Sequence, residues 1–255
     1  MNQPSTLNPP ERLIRVDGAT IAYRRREGKA PGVMFLGGFM SDMSGIKAAT
    51  LDLHCRQTGR AFVRFDYYGH GESTGRFEDG TIGRWRDDAL SVLDEITTGP
   101  QILVGSSMGG WIMTLIALAR PARLKALLGV APALDFTEDL LFAKFDASQR
   151  AKIAREGVIE LPSDYGDRPY PITENLIAEA RRHLLLREPI SLACPVRFLQ
   201  GMRDLDVPWP HALRVAERIE SPDVELTLIK DGDHRLSRPE DLSRLCAAID
   251  ALAAR

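Results

Sequence analysis

Gln101-Ile102-Leu103-Val104-Gly105-Ser106-Ser107-Met108-Gly109-Gly110-Trp111 decides how this chain is read: an apolar run just after Pro100 ends in Gly-x-Ser-x-Gly and passes at once into the apolar residues 108–119. A strand that turns directly into a helix crowds its own backbone, so the positions flanking the turning residue admit little more than hydrogen. The stretch therefore reads as a nucleophile elbow, with the Ser107 hydroxyl exposed at its tip. Ser106, the x of the motif, is predicted to point back toward the sheet and is the second candidate for a reactive serine. Small residues cluster in ordinary turns as well. What gives the motif weight is the strand-like run before it and the all-round apolar helix after it.

Working outward, Asp17-Gly18 between residues 12–16 and 19–25 signals a hairpin and so an antiparallel edge. Strands are predicted at 32–38, ending in Gly37-Gly38, and at 61–67, with a helix between them at 45–57 closed by Gly59. A helix at 81–96 places Ile82, Trp85, Ala89, Val92 or Leu93, and Ile96 on one face. Beyond the elbow, strands at 124–130, 196–200 and 224–229 are joined by helices at 209–219 and 239–254. The last helix carries Ser237 and Glu240 at capping-box spacing and a buried stripe of Leu242, Leu245, Cys246, Ile249 and Leu252. Alternation at this rhythm predicts an α/β fold: a mostly parallel sheet covered by helices on both faces.

Residues 133–192 break the rhythm with helical pieces at 137–157 and 172–186, separated by Leu161-Pro162-Ser163-Asp164-Tyr165-Gly166, and with no good strand signal. An insertion of this size is predicted to form a helical lid over the carboxyl edge of the sheet. The alternative is a second helical layer that supports the core and gates nothing. The predicted division is a core of residues 11–132 and 193–255, a lid of 133–192 and a flexible tail of 1–10.

A chain of 255 residues, 44% of them hydrophobic, is long enough for one sizeable core. A net charge of -2 gives no basic balance for nucleic acid. Cys55, Cys194 and Cys246 are odd in number and lack metal-like or framework spacing, which fits a reducing compartment. Residues 1–10 resemble no secretory leader, and no stretch approaches the roughly eighteen apolar residues of a membrane span. The expectation from these bounds is a cytoplasmic protein acting on small uncharged or mixed substrates, with no nucleic-acid partner and no metal set among its cysteines.

On a fold with this elbow the acid and then the histidine follow the serine. One histidine lies beyond the last strand: His234, in Asp231-Gly232-Asp233-His234-Arg235. Gly201-Met202-Arg203-Asp204-Leu205-Asp206-Val207-Pro208 offers two acids. Asp204, nearer the strand end, is favoured; Asp206 is the second candidate, or a cap for the helix starting near Pro208. Asp231 and Asp233 read as turn formers. His70 precedes the serine and reads as part of a loop near the site, while His54, His183 and His211 lie in helical patterns. Oxyanion donors are expected from the backbone N–H of Met108 and of Phe39, with Gly37-Gly38 allowing close approach, unless these glycines form a plain turn. Leu134, Phe136, Leu140, Leu141, Phe142 and Phe145 exceed what one face of a short helix needs. Leu134, Phe142 and Phe145, with Gly38, are predicted to contact substrate along an acyl channel; simple packing on the sheet is the alternative. Arg150, Lys152, Arg155, Arg181 and Arg182 are candidates to meet a carboxylate on the leaving group, or form a solvated basic face.

Residues 37–48 (Gly37-Gly38-Phe39-Met40-Ser41-Asp42-Met43-Ser44-Gly45-Ile46-Lys47-Ala48), Arg64-Phe65-Asp66-Tyr67, the elbow, Cys194-Pro195-Val196-Arg197 and Val207-Pro208-Trp209 resemble the α/β-hydrolase superfamily. Within it they are most similar to the group of mitochondrial acyl-glucuronide esterases and palmitoyl-protein thioesterases. The resemblance implies a cofactor-free serine hydrolase of carboxylic esters or thioesters, acting on a small-molecule ester or an acylated protein, with Ser107, Asp204 and His234 as triad. The lack of a transit peptide makes a bacterial-type cytoplasmic relative the expectation. Amidases, C–C bond hydrolases and perhydrolases share this triad, and a hydrolase-like binding protein would keep the cavity and lose turnover.

Overall fold

The computed structural model describes residues 9–162 and 169–255 of the chain. Strands β1 (Glu11–Ile14) and β2 (Thr20–Arg26) form an antiparallel hairpin. Its connection is wider than a two-residue turn. Gly18, at φ 82°, donates to the Arg15 carbonyl at 2.9 Å, and the Arg15 N–H donates to Ala19 at 2.8 Å.

The chain then alternates β3 (Lys29–Leu36), α1 (Ile46–Gln57), β4 (Arg60–Phe65), α2 (Ile82–Ser91), β5 (Gln101–Ser106), α3 (Met108–Ala119) and β6 (Leu124–Val130). Gly59, at φ 65°, stops α1 just after its Thr58 C-cap, and the Thr81 hydroxyl caps α2 by accepting from the Arg84 N–H. The helix predicted to reach Ile96 leaves α geometry at Ser91 and finishes in a π turn, Val92–Ile96.

After β6 comes the insertion, in which the predicted 137–157 helix is broken. A π turn (Thr137–Leu141) and a 3-10 turn (Phe142–Lys144) lead to Phe145, whose ψ of 130° is extended, before α4 (Ala147–Glu156) starts afresh. The break has a local cause: Asp146 and Gln149 form a reciprocal capping box that fixes a new helix start. Strands β7 (Val158–Leu161) and β8 (Tyr170–Thr173) then pair antiparallel, where no strand was expected. They lead into α5 (Glu174–Ala180), and the helix predicted to reach 186 ends in the 3-10 turn Arg181–His183. Of the predicted linker, residues 163–166 lie outside the described residues, as do residues 1–8 of the tail.

The sheet is completed by β9 (Val196–Gly201), α6 (Trp209–Arg218), β10 (Val224–Ile229) and α7 (Pro239–Ala253). The Ser237 capping box does not form. Arg238 is the N-cap, Pro239 opens the helix, and the Ser237 hydroxyl donates to the Arg235 carbonyl at 3.0 Å. Eight strands run in the order β1-β2-β4-β3-β5-β6-β9-β10, parallel from β4 to β10.

Alternation along β5 explains the two covered faces. Leu103 packs with Met34, Trp85, Trp111 and Phe198 on the side of α2 and α3, while Ile102 and Val104 pack with Leu51, Ile249 and Leu252 on the side of α1 and α7. The insertion is stitched down at its ends. Buried Asp135 accepts the N–H groups of Leu185 and Leu186 at 2.8 Å each, and the Trp111 indole donates to the His183 carbonyl at 3.0 Å. From α6, Arg214 reaches Asp139 at 2.8 Å.

Candidate active site

Ser107 stands between β5 and α3 at φ 54°, ψ -120°, a region that a side chain other than glycine enters only when the surroundings enforce it. The surroundings are two close backbone approaches. A Cβ on Gly105 would lie 2.4 Å from the Gly109 carbonyl, and one on Gly109 would lie 2.2 Å from the Leu36 carbonyl. Ser106 is the last residue of β5 and is buried.

His234 brings its Nε2 to 3.1 Å from Ser107 Oγ, and its Nδ1 to 2.8 Å from Asp204 Oδ2. The loops after β9 and β10 meet because Gly201 is bare: a Cβ there would fall 2.4 Å from the Gly232 carbonyl. Asp204 is buried and heavily solvated by protein. Its Oδ2 also accepts from Gln200 at 3.0 Å, and its Oδ1 accepts the N–H groups of Asp206 at 3.0 Å and Val207 at 2.8 Å. Such a carboxylate satisfies a developing imidazolium without moving.

Asp206 is exposed, and it does not cap α6, whose N-cap is Pro208. Asp231 pairs with Arg238 at 2.6 Å, and Asp233 accepts the Leu236 N–H at 2.9 Å, closing the turn. Among the described residues the one grouping of three possible metal donors is Asp204, Asp206 and His234, in which Asp204 already accepts from four donors. The other histidines are engaged elsewhere: His54 with Asp250, His183 with Glu179, and His211 with the Leu134 carbonyl. His70 is buried among the rings of Tyr67, Phe77 and Trp85, and burial pulls its pKa down to about 4.

The loop after β3 closes against the serine. A Cβ on Gly38 would lie 3.4 Å from both Ser107 Cβ and the Ser106 carbonyl. The next residue, Phe39, has its ring held edge-on by Phe77, Phe136, Tyr170 and Trp85 at centroid distances of 4.8, 5.7, 5.8 and 5.9 Å. Met108 is the first residue of α3, so its N–H has no acceptor within the helix.

Ser107 and His234 open into a cavity of about 910 Å³, near the upper end of ordinary ligand pockets. Gly38, Phe39 and Met108 lie at its base, and Phe136, Leu140, Leu141, Phe145, Tyr170 and Ile172 close it from the insertion. Two predicted substrate contacts are not among its described lining residues. Leu134 is fully buried in the main core, and Phe142 packs behind Phe145 at 5.9 Å, under the guanidinium groups of Arg150 and Arg181 at 4.5 and 4.9 Å. Nor, among the described lining residues, are any of the five predicted basic residues. Arg150 donates to the Phe142 and Phe145 carbonyls, Arg181 pairs with Glu138, and Arg155 pairs with Glu156. The cations that do line the cavity are Lys47, Lys144 and Arg235. Sequence reasoning missed them, together with Tyr170 and Ile172 on the unforeseen hairpin.

Residues 31–165 match the family described as serine aminopeptidase, S33. Over 241 residues the chain is 46% identical to the palmitoyl-protein thioesterase ABHD10, mitochondrial, of Mus musculus, spanning 94% of this chain and 81% of that protein. The Homo sapiens protein of the same name is 42% identical, with 94% and 78% covered. The structure of mouse alpha/beta hydrolase domain-containing protein 10 matches with a TM-score of 0.89 at 43% identity, over 96% of this chain and 98% of that one. A putative hydrolase from Agrobacterium vitis matches with a TM-score of 0.91 at 41% identity, over 96% and 100%.

These relatives correct the expectation of a cytoplasmic protein, for those from mouse and human are mitochondrial by name. Three free cysteines are compatible with any reducing compartment and do not single out one of them. From the elbow, the parallel sheet and these matches, the chain belongs to the α/β-hydrolase superfamily, as a serine hydrolase of the group that holds the palmitoyl-protein thioesterases.

Proposed function

We propose that the protein hydrolyses acyl thioesters and acyl esters through a covalent acyl-serine on Ser107, with long-chain acyl thioesters such as S-acylated proteins as main substrates and acyl glucuronides as a second class. The observation that carries this reading is the hydrogen-bonded line from Ser107 Oγ through His234 to Asp204, whose serine end opens beneath the apolar side chains of the insertion. The relatives' name as palmitoyl-protein thioesterases favours thioester over amide chemistry.

In the first half-reaction Ser107 Oγ bonds to the acyl carbon as its proton passes to His234 Nε2. The C–S or C–O bond then breaks, and His234 returns that proton to the departing sulfur or oxygen. Asp204 keeps the Nδ1–H oriented and balances the imidazolium between these two transfers. The N–H groups of Phe39 and Met108 receive the oxyanion, each worth about 3–4 kcal/mol in such sites. In the second half-reaction water adds to the acyl carbon as one of its protons passes to His234 Nε2; the bond from that carbon to Ser107 Oγ then breaks, the carboxylic acid leaves, and His234 returns the proton to Oγ.

The test is kcat/KM across acyl chains from acetyl to palmitoyl, as thioesters and as esters. Each methylene buried against Phe145 and Leu141 is expected to improve transition-state binding by up to about 0.8 kcal/mol until the cavity is full. A profile that is flat in chain length removes the long-chain assignment, and failure of a fluorophosphonate to label the protein removes the enzyme.

A further inference from the structure

The cavity is chemically divided. The insertion lines it with apolar side chains beside Lys144 and Gln149, whereas the elements around His234 line it with Lys47 and Arg235 together with Asp42 and Asp206. The division matters because the leaving group must depart toward the proton on His234 Nε2, and therefore sits on the histidine side of Ser107. Arg235 follows His234 directly in the chain. Lys47 Nζ donates to the Arg235 carbonyl at 2.6 Å, which ties the ammonium to the loop that holds the base. An ammonium has three donors, and this contact uses one. The carboxylate that acts on Lys47 is Asp233, whose Oδ1 already accepts the Leu236 N–H, and the first turn of α1, to which Lys47 belongs, contains no acid. That turn also adds the positive end of a helix dipole. Burial and the neighbouring Arg235 bring the Lys47 pKa down to about 8, which still leaves it mainly protonated at neutral pH.

We propose that Lys47, assisted by Arg235, binds an anionic group on the leaving portion of the substrate and makes the enzyme select charged leaving groups over neutral ones. The proposal rests on the acyl-enzyme reading above. The anion is a carboxylate or a phosphate, carried by a uronic acid ester or by a phosphopantetheine thioester respectively.

Two substrate pairs with one common acyl chain separate these sources: an acyl 4′-phosphopantetheine thioester against the acyl pantetheine thioester, and an acyl glucuronide against its methyl ester. The wild type is expected to favour the charged member of at least one pair by roughly tenfold in kcat/KM, the usual worth of one charge-assisted hydrogen bond. Most of this preference should appear in KM, and it should fall with added salt. Lys47→Met should bring the charged-to-neutral ratio close to one, and Lys47→Arg should restore most of it. A merely structural role for the Lys47–Arg235 contact would lower both members together and leave the ratio unchanged, which overturns the proposal. Equal rates for charged and neutral members in the wild type overturn it too. If Ser107 is labelled by a fluorophosphonate while these ratios stay at one, only the anion site is lost; if no member of either pair is hydrolysed, the acyl-enzyme reading falls and takes this site with it.

Discussion

His234 Nδ1 lies 2.8 Å from Asp204 Oδ2, while Asp206, two residues further on, uses its own backbone N–H to hold the other oxygen of that carboxylate at 3.0 Å. The loop thus positions one acid and makes the backbone of the second its support. Asp204→Asn is expected to leave the fold intact, to hold His234 in the wrong tautomer and to lower kcat by about ten-thousand-fold, by analogy with the serine-protease triad. Asp206→Asn keeps the supporting N–H and should cost far less. Steady-state kinetics of the two variants decides the assignment, and a larger loss in Asp206→Asn would reverse it.

Phe145 and Phe142 are separated by the same criterion. Phe145 lines the cavity, whereas Phe142 lies behind it with Arg150 and Arg181 stacked on its ring. Phe145→Ala is expected to flatten the acyl-length profile and, because the ring is buried, to cost about 3–5 kcal/mol of stability. Phe142→Ala should leave the preferred chain length where it is. Measuring kcat/KM over the acyl series for both checks this; an equal shift in the two variants would place Phe142 in contact with substrate.

The contrast between these two rings marks where the sequence stops being informative. Gly105, Gly109 and His234 were legible because each meets a local backbone demand, a crowded elbow or a turn after the last strand, that leaves its trace within a few residues. The hairpin of β7 and β8 was not, since its strands have four residues each, Pro171 sits inside one of them, and Ile172 and Thr173 also suit a helix start. Lys47 and Arg235 stand 188 positions apart, and only the closed fold puts them on one side of a cavity. Likewise the apolar excess of the insertion was visible, but its division between cavity and core depended on the break at Phe145.

His70 supplies a stability prediction with a definite sign. Burial lowers its pKa to about 4 from the 6.5 of an ordinary histidine, so between these values the unfolded chain binds the additional proton. The stability gained by keeping His70 neutral is complete above about pH 6.5 and is lost as pH falls toward 4, up to roughly 3 kcal/mol in all. Asp88 opposes this trend, because burial raises its pKa to about 6 and its share falls as pH rises through the interval from 3.8 to 6. Comparing urea unfolding of wild type and His70→Gln cancels the Asp88 contribution. The variant is expected to lose less stability than the wild type between pH 7 and pH 4; equal losses would show that His70 is not the group taking up the proton.

The central claim is that the acyl group passes through Ser107, and mass spectrometry of the protein after brief exposure to a long-chain acyl thioester and to a fluorophosphonate tests it most directly. The wild type should carry the acyl or phosphonyl adduct on the peptide holding Ser107. Ser107→Ala should carry neither and lose up to about a million-fold in turnover while unfolding as the wild type does, whereas Ser106→Ala should still be labelled. An adduct that maps to Ser106, or a Ser107→Ala variant that is still labelled and turns over substrate, would contradict the account.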